Sequence, residues 1–134
     1  MKRLADWQQR FWQFMHVSLH APFELGRHDC ILFSASMIDA ITGAHFFEDV
    51  KHAYPYSNES EAALLLQGGL RILIEKHLGP SIQPSRCDIG DVVLIKVRDG
   101  AQALCVHDGM QLVMAAGRRL RSVRFELALC GWTI

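Results

Sequence analysis

Apolar residues recur at helical spacing in the first part of the chain and at strand spacing in the last, so the pattern predicts helices followed by strands. Leu4, Trp7, Phe11, Phe14 and Met15 fall on one stripe about 100° wide, which predicts an amphipathic helix ending before Pro22. Gln8, Gln9, Arg10 and Gln13 lie off that stripe. A second helix is read from its own caps, with Asp29 as N-cap, residues 30–41 as the body, and Thr42 and Gly43 as the stop. Its apolar residues run nearly all round, with only Ser34, Ser36 and Asp39 to interrupt them, so it is expected at the centre of the fold. Residues 45–58 read as an irregular connection. Asn58 with Glu61 then predicts a capping box for a short helix through Leu66. Gly68 and Gly69 break that helix, residues 70–78 resume helical patterning, and the proline-containing stretch to Arg86 reads as loop.

From residue 89 onward the signals are those of strands. Residues 91–97, 103–107, 110–116 and 119–123 are apolar runs separated by turn residues at Asp99-Gly100, Asp108-Gly109 and Gly117. A final short strand is predicted at 130–134. Helices first and an antiparallel meander afterwards is the α+β pattern, with the N-terminal helices packed on a C-terminal antiparallel sheet.

Composition narrows the class without naming a partner. The 134 residues are half apolar, and 14 basic residues offset 14 acidic ones, as in an ordinary globular chain of one domain over residues 1–134. A net charge of zero gives no global pull toward nucleic acid or an anionic membrane, so either partner would need a local patch, and no nucleic-acid partner is expected. No run of 18 apolar residues occurs and the start is too polar for a secretion signal, so synthesis in the cytoplasm without membrane insertion is expected. Cys30, Cys87, Cys105 and Cys130 lack CxxC or zinc-ligand spacing and are expected as free thiols. No cofactor or metal is implied. His16 and His20 have the i, i+4 spacing of a chelating pair, but no third ligand accompanies them, and they read as histidines favoured by the helix C-terminus.

Cys30 is the residue singled out by physical chemistry. A thiol in the first turn of a helix faces unpaired N–H groups and the positive end of the macrodipole, both of which favour the thiolate. Asp29 works against this with its own charge, and the competing reading is a buried cysteine acting as a small hydrophobe. Residues 118–124 concentrate four arginines, which read as a solvated strand that keeps a sheet edge from pairing. The other reading is a dock for an acidic protein or a phosphate backbone. Trp12 is a candidate interface anchor. Cys87, Cys105 and Cys130 have no base near in sequence and are taken as structural.

The segment PFELGRHDCILFSASMIDAITG resembles the start of the papain-like NlpC-type cell-wall cysteine peptidases, in which a D-C step opens the core helix. More closely, it resembles small phage and prophage proteins from tail gene clusters that share this fold. The Gly68-Gly69 step, IGDVVLIK, ALCVHDG and a Trp132-containing end follow in the expected order, so the resemblance spans most of the chain. It implies a papain-like α+β fold with Cys30 as nucleophile, a histidine as base, and a third polar group orienting the imidazole. In the active peptidases the histidine opens the second strand, where this chain has Ala103. His107 lies on the same strand face but about 13 Å further along at 3.3 Å per residue. His28 is the other candidate base, and Asp108 and Gln111 are candidates for the orienting group. The resemblance thus implies a tail-tip or baseplate component, degenerate in catalysis, that docks other tail proteins and is carried in the virion tail. The alternative is an active peptidase that cleaves cell-wall peptide bonds with Cys30, its partner then being bacterial peptidoglycan. An acyl-transfer or thiol-redox protein trails both, because no resolving cysteine stands near Cys30 in sequence.

Overall fold

The computed structural model describes residues 2–53, 56, 58 and 69–134, and in them helices precede strands as the change of hydrophobic period requires. The helices are α1 (Trp7–Ser18), α2 (Cys30–Thr42), α3 (Phe46–Ala53) and α4 (Leu70–Leu78). The strands are β1 (Val92–Lys96), β2 (Gln102–His107), β3 (Leu112–Ala116), β4 (Arg119–Val123) and β5 (Ala128–Trp132). All strand pairings are antiparallel, in the order β4-β3-β2-β1-β5. The architecture is therefore α+β.

Both caps predicted for α2 are present. Asp29 is extended and its carboxylate accepts from the N–H groups of Ile31 and Leu32, while Gly43 closes the helix at φ 75°. That positive φ is cheap for glycine and strained for other residues. Leu32, Phe33, Met37, Ile38 and Ile41 are fully buried, and α2 packs against α1, α3, β2 and β3. Its nearly unbroken apolar surface is thus explained by neighbours on most sides.

The stretch read as an irregular connection contains α3, which corrects the sequence expectation. Asp39, one turn before the end of α2, accepts from the N–H groups of Phe46 and Phe47 at 2.6 and 3.0 Å. The cap of α3 is supplied from the preceding helix, outside the local window in which capping residues are sought. Burial pushes the Asp39 carboxyl up, and these two N–H bonds oppose the shift. The helix expected from Asn58 to Leu66 lies outside the described residues, apart from Asn58 itself.

The final strand also differs from expectation. It begins at Ala128 rather than Cys130, and it lies beside β1, across the sheet from β4. Trp132 is opposite Val92, and its indole N–H donates to the Gly79 carbonyl at 3.0 Å, which ties the end of α4 to the sheet. Asp99-Gly100 is part of a 3-10 turn over Arg98–Gly100 rather than a two-residue hairpin turn.

The sheet is buried on both faces. Val92, Leu94, Leu104, Val106 and Leu120 belong to the core shared with the helices, while Val93, Ile95, Ala103, Cys105 and Leu112 form a second cluster. This explains why β1 reads as a continuous apolar run instead of an alternating one. β2 pairs with β1 over its whole length but with β3 only at Val106 and His107. The N-terminal half of β2 therefore has no β3 partner among the described residues, and the site described next lies beside that stretch. Among the described residues, no helix is long and apolar enough to cross a membrane.

Candidate functional site at the start of helix α2

The chain reaches α2 through a tight reversal. Glu24 N–H donates to the His28 carbonyl at 2.9 Å, and His28 N–H to the Glu24 carbonyl at 2.7 Å. Gly26 sits in the reversal at φ 80°. The reversal delivers Asp29 to the helix start with both carboxylate oxygens engaged. Oδ1 accepts from Ile31 and Leu32 N–H at 3.1 and 2.9 Å, and Oδ2 accepts from Gly26 N–H at 2.9 Å and the Tyr56 hydroxyl at 2.5 Å. Asp29 is buried, and these four donors compensate its desolvation.

Cys30 follows as the first helical residue and packs against both apolar clusters. The strand parity of β2 determines what meets its sulfur. His107 exchanges main-chain bonds with Asp91 and Gly90, so the odd residues of β2 bond toward β1 and the even residues point toward β3. Leu104 is even and has no β3 partner, and its N–H is directed to the Cys30 sulfur. Burial pushes the thiol from its ordinary 9.0 up to about 11; the N–H of Leu104 pulls the other way and the Asp29 charge adds to the rise. The Tyr56 hydroxyl is also pushed up, first by burial and then by its bond to Asp29. Cys105 lies close enough to feel the charge of Cys30, and burial holds its thiol up as well.

The candidate bases lie elsewhere. His107 is at the far end of β2 from Ala103, four residues or about 13 Å along the strand. Its Nδ1 accepts from Gly109 N–H at 3.0 Å, its ring meets the edge of Phe125 at 6.2 Å, and the residue is buried. His28 turns its ring toward Phe33, with centroids 5.8 Å apart, and its Nε2 is enclosed with no hydrogen-bond partner among the described residues. Desolvation lowers the His28 pKa, against the pull of the Asp29 charge. Neither imidazole is hydrogen-bonded to Cys30. Asp108 accepts from Met110 and Gln111 N–H in the β2–β3 turn, so both candidate orienting residues belong to that turn. Ala103 belongs to the second apolar cluster, against which Cys30 packs.

A family model described as a domain of unknown function (DUF6950) matches residues 2–134. The chain belongs to the DUF6950 family. No curated protein and no solved structure matches the chain. In this DUF6950 domain the helix start can hold a thiol in a partly covered, hydrogen-bonded position, but among the described residues no imidazole is hydrogen-bonded to that thiol. His20 lies beyond the end of α1, so the His16 and His20 spacing does not give a helical chelating pair. No group of three His, Cys, Asp or Glu residues suited to a metal occurs among the described residues. Two contributors were not legible in the sequence. Tyr56 reaches Asp29 across 27 residues, and Leu104 contributes only a main-chain N–H whose freedom depends on where β3 stops pairing.

Proposed function

We propose that this DUF6950 domain is a papain-like scaffold of NlpC type that has lost hydrolytic chemistry and acts by docking other proteins in a phage tail tip or baseplate. The observation that carries this reading is the state of the Cys30 thiol. It opens the central helix against β2, as the resemblance to cell-wall peptidases implies, but it packs against the apolar cluster that contains Ala103 and has its ionisation suppressed by burial. A thiol nucleophile needs an imidazole at roughly 3 Å, and neither candidate is bonded to Cys30: the His28 ring packs on Phe33, and His107 accepts from Gly109 N–H. A fold outlasts its chemistry when its surfaces are still used, so the retained architecture suits a structural part of a particle. The tail assignment rests on the resemblance to phage and prophage tail-cluster proteins.

The deciding experiment compares the parent chain with Cys30→Ala in two assays, digestion of purified peptidoglycan and complementation of tail assembly in a phage lacking the gene. Neither form is expected to digest peptidoglycan, and both are expected to restore infectious particles. Digestion by the parent that disappears in Cys30→Ala would establish the competing reading, in which Cys30 cleaves cell-wall peptide bonds. Full infectivity without any copy of the gene would remove the tail role.

A further inference from the structure

A groove of about 800 Å³ lies between α1 and the β3–β4 edge of the sheet and shares no residue with the Cys30 site. Met15, Leu19, Val113 and Leu120 give it an apolar floor, and Trp12 stands half exposed at one lip. Arg119 and Arg121 supply its cationic groups, both on exposed residues. Its one acid is Asp108, whose Oδ1 already accepts two main-chain N–H bonds. Arg119 and Arg121 make no ion pair among the described residues, whereas their neighbour Arg124 lies 3.8 Å from Glu126. The net local charge is therefore positive and uncompensated.

The groove also opens onto main-chain groups. β4 is an edge strand, and Leu120 N–H points away from β3 to reach the Leu19 carbonyl at 2.9 Å. Strand alternation then sends the N–H and C=O of Ser122 in the same outward direction. Ser122 sits opposite Val113 on β3, lines the groove, and has no main-chain partner on its outer side among the described residues. An unpaired donor and acceptor on one residue fit an added strand of peptide.

We infer that this groove docks an extended, acidic segment of a partner protein. The segment's main chain pairs with Ser122, an apolar side chain enters between Trp12 and the floor, and its carboxylates meet Arg119 and Arg121. A peptide satisfies both the Ser122 donor and its acceptor, while a nucleic-acid backbone offers phosphate acceptors only. The inference deepens the docking reading above and rests on it for the existence of a partner.

The test is fluorescence anisotropy on the full chain with a fluorescein-labelled peptide of alternating glutamate and valine. Binding is expected to weaken roughly tenfold or more in Arg119→Glu/Arg121→Glu, and to weaken with added salt. Ser122→Pro removes the outward N–H but no bond to β3, and it is expected to weaken binding severalfold with the circular dichroism spectrum unchanged. Equal affinity for the charge-reversed variant, or for a peptide with lysine in place of glutamate, would overturn the inference. So would tighter binding of a single-stranded oligothymidylate, which would make the arginines a phosphate site. Unchanged affinity in Ser122→Pro would overturn the strand pairing. Peptidoglycan digestion through Cys30 would sink the scaffold reading without altering these titrations, so the two failures are separately visible.

Discussion

The start of α2 and the β4 edge are built on opposite terms. At the start of α2 the buried carboxylate and the unpaired strand N–H are matched to partners inside the fold, with His28 Nε2 the exception: Asp29 meets four donors and Leu104 N–H is turned to the Cys30 sulfur. At the β4 edge, Arg119 and Arg121 have no ion pair among the described residues, Ser122 presents an open main chain, and Trp12 is half exposed. Matched buried groups hold a conformation, while unmatched groups beside an apolar surface are free to bind something else. The start of α2 is therefore organised like a structural joint, and the β4 edge is organised like a recognition surface.

The sharpest way to break this comparison is to remove the joint. Asp29→Ala strands the N–H groups of Ile31, Leu32 and Gly26 and the Tyr56 hydroxyl together. Loss of a helix cap costs about 0.5–2 kcal/mol, and a bond to a buried charge adds about 1.5–3 kcal/mol, so the expected loss is about 3 kcal/mol. Asp29→Asn is expected to cost less, because its amide oxygen still accepts at the helix start. Urea unfolding of the two variants measures both. A cost for Asp29→Ala within a few tenths of a kcal/mol would show that the joint holds nothing.

Next in size is the reactivity of Cys30. A thiol held up at about 11 instead of 9.0 carries on the order of 100-fold less thiolate at neutral pH, so iodoacetamide should modify it correspondingly more slowly than an unhindered cysteine peptide. The sign for stability follows from the same shift. The folded thiol has the higher pKa, so its contribution is fully present below pH 9.0 and is lost as pH rises toward about 11. Chemical unfolding between these pH values should show a decline that is smaller in Cys30→Ala. Rapid alkylation of Cys30 near pH 7, followed by peptide mapping, would mark an activated nucleophile and reverse the reading of this region.

A smaller effect sharpens the role of Ala103. Placing an imidazole there by Ala103→His is expected to raise the alkylation rate of Cys30 at pH 7.5 by roughly tenfold, through an ion pair with the thiolate. The control is Ala103→Leu, which adds bulk without a proton acceptor. Equal rates in both variants would show that the side chain at position 103 is not what limits the thiol.

How much of this was legible in the sequence depended on the distance over which each cause acts. The extent of α2 was readable because Asp29 and Gly43 act within a few residues of its ends. α3 was missed because Asp39 caps it from the preceding helix. The position of β5 beside β1 was equally hidden, since Trp132 is fixed by Val92 and the Gly79 carbonyl, both remote in sequence. The separation of Ala103 and His107 followed from strand rise alone. The Cys30 environment did not, because it depends on where β3 leaves β2. Trp12 and the arginines of β4 were each visible as isolated features, but only the packing of α1 along the sheet joins them in one groove.

The smallest expected effect is the most discriminating between the two regions. Arg119 and Arg121 are exposed and hold no ion pair among the described residues, so Arg119→Glu/Arg121→Glu removes no intramolecular bond. It also relieves repulsion among four arginines within residues 118–124, a gain limited by solvent screening. The unfolding free energy in urea should therefore stay within about 0.5 kcal/mol of the parent, or rise slightly. The same double substitution is expected to weaken peptide binding at least tenfold. A loss of stability comparable to that of Asp29→Ala would mean that the arginines serve the fold, and the contrast between a closed joint and an open edge would no longer hold.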